Sequence, residues 1–140
     1  MTAPTDYYLD CTVDSNGGSG TNGDPWTFTD ASGDKIYQAI GNITRDTTNG
    51  DRLNVQGQDD TTKAIAPAAA GYGSFASNSI PLIIEGWGGG SQGDGGIFTV
   101  DGGGGSFHGF DLWTGNDYPF ILVRGKIGNF STGTPYTCLT

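Results

Sequence analysis

The sequence predicts an all-β domain carrying one short helix, and three observations predict it. Apolar runs of four or five residues, Ile80-Pro81-Leu82-Ile83-Ile84 and Ile97-Phe98-Thr99-Val100, are bounded by glycine. A helix needs about ten or more residues of continuous periodicity and far less glycine, so these runs read as buried strands. Glycine is the outlier of the composition, 26 of 140 residues, and it clusters between apolar runs as the tight turns of a β domain require. Seven Phe, six Tyr and three Trp accompany it, an aromatic content that disordered linkers lack. At 140 residues the chain is one domain by length.

Taken in order, Tyr7-Tyr8-Leu9-Asp10 is a short aromatic strand, and a polar, glycine-rich loop follows from Asp14 to Asp24. Trp26-Thr27-Phe28 alternates as a half-buried strand does. Ile36, Ala39, Ile40 and Ile43 fall at i, i+3, i+4 and i+7 and form one apolar stripe, the single helical signal of the chain. The spacing predicts a helix over 34–43, with Ser32 or Asp34 capping its start and Gly41 weakening its end. Asn49-Gly50-Asp51 is a turn, and Arg52-Leu53-Asn54-Val55-Gln56 alternates with period two, which puts Leu53 and Val55 on one face. Residues 61–79, rich in Ala, Gly and Ser, form a long excursion with at most one short strand near Ala64-Ile65. Phe107 to Trp113 and Phe120 to Ile127 supply two more strands. The single domain therefore divides into an N-terminal strand and glycine-rich loop (1–33), a capping helix (34–43), β coils (51–128) and a C-terminal tail (129–140).

The order of short motifs carries a resemblance. Tyr7-Tyr8-Leu9-Asp10, then Gly20-Thr21-Asn22-Gly23 with Trp26, then a helix ending Ala39-Ile40, then Asn49 to Gly57, then Pro81-Leu82-Ile83-Ile84-Glu85-Gly86, resembles the N-terminal part of right-handed parallel β-helix proteins of the pectate-lyase-like class. That class includes secreted bacterial polysaccharide-active proteins and phage structural or tail proteins. The resemblance spans about residues 6–128. It implies a short right-handed parallel β-helix closed at its N-terminal end by the helix. The departure is length, since this chain offers roughly four or five coils where members of the class stack many more. So short a stack leaves its last coil, around Phe120 to Ile127, with unpaired strand edges and an open apolar end that invites another chain to pair. A β-sandwich or jelly roll, with the same strands paired antiparallel, is the alternative; long connections and the lack of two-residue hairpin turns set it lower.

Fifteen acidic residues against six basic ones give a net charge of −9, and every acid except Glu85 is Asp. Such a field repels phosphate backbones, which excludes nucleic acid as a partner. No apolar run is long enough for a membrane-spanning helix. Met1 to Asp6 lacks the basic region and apolar core of a secretory signal. A protein used without such export, as a phage particle protein is, or a chain already trimmed, fits that start, and the expected location is a virion or the extracellular space. Cys11 and Cys138 lie near opposite ends. A bridge between them would close nearly the whole chain and contribute about 4 to 5 kcal/mol; two free thiols and pairing between chains are the other readings. The spacing of these cysteines and the single His108 do not make a zinc site, and no cofactor is expected.

A lyase or hydrolase would need acidic residues gathered on one face, with Ca²⁺ or a general acid and base, and basic residues to hold a uronate. The candidates are Glu85, Asp101 and Asp111, with His108, Arg124 and Lys126 near them in sequence. An acid at a strand end beside glycine is more often a turn residue, and Asp111, between Phe110 and Leu112, reads as the solvent-facing member of an alternating strand. Asp94 and Asp101 lie in glycine-rich turns, yet 89–94 lacks the spacing of the calcium-binding nonapeptide repeat and does not recur. Gly86 to Gly90 has no following Gly-Lys-Ser/Thr and is no phosphate loop.

Tyr72, Trp87, Trp113 and Tyr118, at strand ends or in loops, together with Phe120 and Leu122, form a candidate surface for assembly or sugar contact; packing over the domain's own core is the competing reading. Asn42-Ile43-Thr44 and Asn129-Phe130-Ser131 match the N-glycosylation pattern, which matters only after export through a glycosylating pathway. The expected function is structural: a non-catalytic protein that self-associates or docks with other subunits in a larger extracellular assembly, as a phage particle protein or a fibril subunit. A carbohydrate-binding or polysaccharide-cleaving β-helix domain is the alternative.

Overall fold

A computed structural model describes residues 2–30, 34–61, 80–103 and 120–128. The molecule is mostly β with one helix: β1 (Thr5–Asp14), β2 (Trp26–Phe28), α1 (Lys35–Asn42), β3 (Asp51–Asp60), β4 (Leu82–Gly86), β5 (Phe98–Asp101), β6 (Phe120–Val123) and β7 (Gly125–Gly128). One ladder runs β2-β1-β3-β4-β6, and a second runs from the far half of β3 through β5 to β7. Every ladder between these strands is parallel. The antiparallel pairing of a sandwich or jelly roll is therefore not the arrangement, because each connection returns the chain to the same end before the next strand begins. The 64–65 and 107–113 strand expectations lie outside the described residues.

Side-chain alternation and parallel register together build the core. Tyr7, Leu53, Ile84 and Leu122 share one row across the first ladder, and Leu53 and Ile84 are fully buried. In the second ladder Gly57, Phe98 and Gly125 share a row. A Cβ on Gly125 would come within 2.5 Å of the Phe98 ring, so glycine there gives the ring its room. At Gly57, with φ 83°, β3 passes from one ladder to the other.

The apolar stripe predicts α1 well. Ile36, Ala39 and Ile40 are fully buried and Ile43 nearly so, against β1, β2 and β3 at one end of the strand order. Its cap is a correction. Asp34 adopts a left-handed φ of 55° and makes no side-chain cap bond; its Oδ1 accepts the Thr61 hydroxyl at 2.5 Å. Ser32 lies outside the described residues. Asp59 of β3 caps the helix instead, Oδ1 accepting the Lys35 N–H at 2.9 Å and Oδ2 the Ile36 N–H at 2.8 Å. Lys35 in turn reaches back, its Nζ donating to the Cys11 and Val13 carbonyls at 3.1 and 3.0 Å and pairing with Asp30 at 2.6 Å.

Strands run longer than the apolar runs suggest, because ladder hydrogen bonds extend through polar residues: β1 continues to Asp14 and β3 to Asp60. A two-residue hairpin also occurs, contrary to expectation. Thr21 and Asp24 bridge around Asn22-Gly23 with N–H···O distances of 3.2 and 3.1 Å. It closes a polar loop rather than joining two apolar strands, so the usual flanking alternation is missing.

Candidate functional site

The alternation that sends Leu53 and Val55 inward sends Arg52, Asn54 and Gln56 to the opposite face of β3. Parallel register then sets Asp6 beside Arg52, and Tyr8, Asn54 and Glu85 in one row. Glu85 is not the turn residue expected of an acid beside glycine. It lies within β4, is 7% exposed, and forms the centre of a charge cluster. Arg124 Nη2 lies 2.5 Å from its Oε1, Arg52 Nε lies 3.2 Å from Oε2, and Gln92 Nε2 donates to Oε2 at 3.0 Å. The Arg52 Nε–H is not aligned for a hydrogen bond, so this contact is an ion pair by distance alone. Asp6 completes the group, 3.4 Å from Arg52 Nη1 and accepting from Asn54 Nδ2 at 3.2 Å.

Arg124 stands at the corner between β6 and β7 with φ 54°, a backbone conformation that non-glycine residues rarely adopt. Its guanidinium also donates to the carbonyls of Gly86 and Gly96, each at 3.2 Å. One side chain thus ties the last two strands to β4 and to the glycine-rich connection. Its Nε and Nη2 are thus engaged within the protein.

The connection from Gly86 to Gly96 closes on itself at a backbone crossing. A Cβ on Gly96 would lie 2.1 Å from the Trp87 carbonyl carbon, and one on Gly86 would lie 2.3 Å from the Gly96 oxygen. Asp94 holds the loop, its carboxylate accepting the N–H groups of Gly88 at 2.8 Å, Gly90 at 2.9 Å and Gly96 at 3.1 Å. These backbone hydrogen bonds, that of Gly96 foremost, keep its carboxyl below the usual carboxylate range.

A group depressed in this way contributes stability above its unfolded pKa of about 3.9 and loses it as pH falls through the folded value. Acidification below roughly pH 4 is therefore expected to release the Gly88, Gly90 and Gly96 amides, while Leu53 and Ile84 amides stay protected. Amide exchange followed by NMR checks this; loop amides unchanged down to about pH 2 would remove Asp94 as the clasp.

Trp87, a candidate for assembly or sugar contact, is 3% exposed. Its ring meets Tyr8 edge-on, centroids 5.1 Å apart, and its Nε1–H donates to the Gly90 carbonyl at 2.8 Å. Folding of the glycine loop turns the ring onto its own sheet, so it offers no free face. Leu122 is half-buried against the core, and Phe120 pairs in register with Leu82. Asp101 fills the turn role expected of it, its Oδ1 accepting the Gly103 N–H at 2.8 Å. It belongs to the second ladder, in register with Asp60 and Gly128, whereas Glu85 belongs to the first.

Lys126 is exposed on β7, and Asn42 is exposed at the last residue of α1. Cys11 is buried, and that burial, reinforced by Asp59, pushes its thiol well up. Tyr72, His108, Asp111, Trp113, Tyr118, Asn129 and Cys138 lie outside the described residues. Among the described residues no group of three or more His, Cys, Asp or Glu side chains is placed to hold a metal ion. The arrangement around Glu85 is suited to tying strands and loop together: two hydrogen-bond donors, from Arg124 and Gln92, and the nearby Arg52 charge converge on one carboxylate. The chain matches no family model, no curated protein and no solved structure.

Proposed function

We propose that this chain is a short right-handed parallel β-helix with a structural, non-catalytic role, stacking onto copies of itself or other subunits of an extracellular or virion assembly. One observation carries the reading. Among the described residues β6 pairs only with β4 and β7 only with β5, so both ladders end on the same pair of consecutive strands. The opposite end is covered by β2 and α1. Three features support the coil. The two halves of β3 serve the two ladders, β4 with β5 and then β6 with β7 repeat that division, and crossovers between parallel strands are right-handed in nearly all proteins. An edge strand presents unpaired N–H and C=O groups in a row, a template for another strand. Ile121, 47% exposed on β6, adds apolar area to that edge.

Ile121→Lys places a charge on the edge without touching the core, and it is expected to shift the purified protein from an associated to a monomeric state with its circular dichroism unchanged. Sedimentation velocity across a concentration series reads the result. A wild-type chain that stays monomeric at the highest concentration overturns the proposal.

A further inference from the structure

Three Asn-Gly pairs occur among the described residues, Asn16-Gly17, Asn22-Gly23 and Asn49-Gly50; the structure holds the first and third and leaves the second free, Asn16 Oδ1 accepting the Thr29 N–H at 3.2 Å and the Gly17 N–H donating to the Thr27 carbonyl at 3.1 Å. In Asn-Gly sequences the backbone nitrogen of glycine can attack the asparagine side-chain carbonyl carbon, because glycine has no side chain to obstruct the approach. The reaction needs a side chain free to turn and a glycine N–H free of other bonds.

Asn49 meets neither need. Its Nδ2 donates to Asp46 Oδ2 at 3.0 Å, its own N–H donates to Asp46 Oδ1 at 3.0 Å, and its Oδ1 accepts from the Thr2 hydroxyl. The Gly50 N–H is bound to the Asp46 carbonyl at 3.1 Å, and Gly50 is buried. Asp46 therefore grips both reacting groups. Asn22 and Gly23 are both exposed, at the tip of the Thr21–Asp24 hairpin, and neither the Asn22 side chain nor the Gly23 N–H takes part in a hydrogen bond. Nothing lies within 4 Å of the place a Gly23 Cβ would occupy, so the tip is open on that side too.

We infer that Asn22 is a site of spontaneous deamidation and that Asn49 is protected from it. The Gly23 nitrogen bonds to the Asn22 Cγ, its proton is lost, and the side-chain nitrogen departs as ammonia, leaving a succinimide. Water then opens either carbonyl of that ring, giving aspartate or isoaspartate at position 22. Both products add a negative charge to the hairpin, and isoaspartate also adds a methylene to its backbone. The hairpin is anchored to the sheet, since the N–H groups of Ser19, Gly20 and Thr21 converge on the Asp24 carbonyl and Gly20 accepts the Tyr8 N–H of β1 at 3.0 Å. Isoaspartate at the tip therefore loosens the cover over the edge of β1.

The test is incubation of the full chain at mildly alkaline pH, with peptide mapping for replacement of the amide by a carboxyl and isoaspartate identified by chromatographic comparison with synthetic peptides. The expected rate at Asn22 exceeds that at Asn49 by at least about tenfold, the order of ratio set by hydrogen bonds that must break at only one of the two sites. Asn22→Gln is expected to abolish most of the new acidic species on isoelectric focusing, and Asp46→Ala to bring the Asn49 rate toward that of Asn22. Equal rates at the two positions, a faster Asn49, or an unmodified Asn22 after the Asn49 peptide has reacted would each overturn the inference. Denatured chain provides the control, since all three pairs should then react alike.

Discussion

Replacement of Asp59 by Ala is expected to lower folding stability by about 2–4 kcal/mol, the sum expected of a lost helix cap and a buried N–H left without an acceptor. Asp59 is fully buried and each of its oxygens takes one N–H of the first turn of α1. The Asp34 side chain does not share the task, since it makes no cap bond. The same carboxyl carries a desolvation penalty that outweighs the two backbone hydrogen bonds and raises its pKa. A folded-state pKa above the unfolded value means that its contribution is fully present below about pH 3.9 and declines as pH rises through the folded value. Asp59→Asn removes that titration but supplies only one acceptor for two N–H groups. The stability difference between wild type and Asp59→Asn is therefore expected to be larger at low pH than at neutral pH. Urea denaturation of both proteins at matched pH measures it, with the acid sensitivity of Asp94 and other carboxylates cancelling in the difference. A gap that widens as pH rises would show that the buried carboxyl is stabilised as an anion, contrary to this account.

The two aspartates show why some of this was readable in the sequence and some was not. The stripe Ile36, Ala39, Ile40 and Ile43 encodes α1 locally, through the helix period. Leu53 and Val55 encode the buried face of β3 through the strand period. Both patterns need only near neighbours. The cap from Asp59 joins residues far apart in the chain, and no local rule for a capping residue reaches that distance. Glu85 is hidden for the same reason: beside Gly86 it has the appearance of a turn acid. Its role depends on Arg52 and Arg124, which parallel register and a corner between two short strands bring to it. The one usable signal was compositional, Glu85 being the single glutamate among fifteen acids in a chain that otherwise uses aspartate. Trp87 was ambiguous because burial of a strand-end aromatic depends on where its loop folds, and the clasp of that loop is Asp94, whose glycine neighbours suggested only a turn.

Glu85→Ala is expected to cost about 2–3 kcal/mol. Removing one member of a buried ion pair typically costs about 3–5 kcal/mol, and the figure is lowered here because the Arg52 and Arg124 side chains remain 19% and 32% exposed and regain water when released. The effect should be local. Arg124 joins β4, the glycine loop and the corner of the last two strands, so loss of its carboxylate partner should raise amide exchange in β6 and β7 well before it reaches β1 or α1. Arg124→Ala should reproduce that pattern with a smaller loss in global stability, because it leaves Glu85 paired with Arg52 and Gln92. A double substitution should then lose less than the sum of the two, since each removes the same contact. If association runs through β6 and β7, both variants should also weaken it at concentrations where the monomer is still folded. Ile121→Lys blocks the edge while leaving the clamp intact, so it should abolish association without changing exchange in β6 and β7. Observing the exchange change with association untouched would separate the clamp from the interface and place the docking surface elsewhere on the molecule.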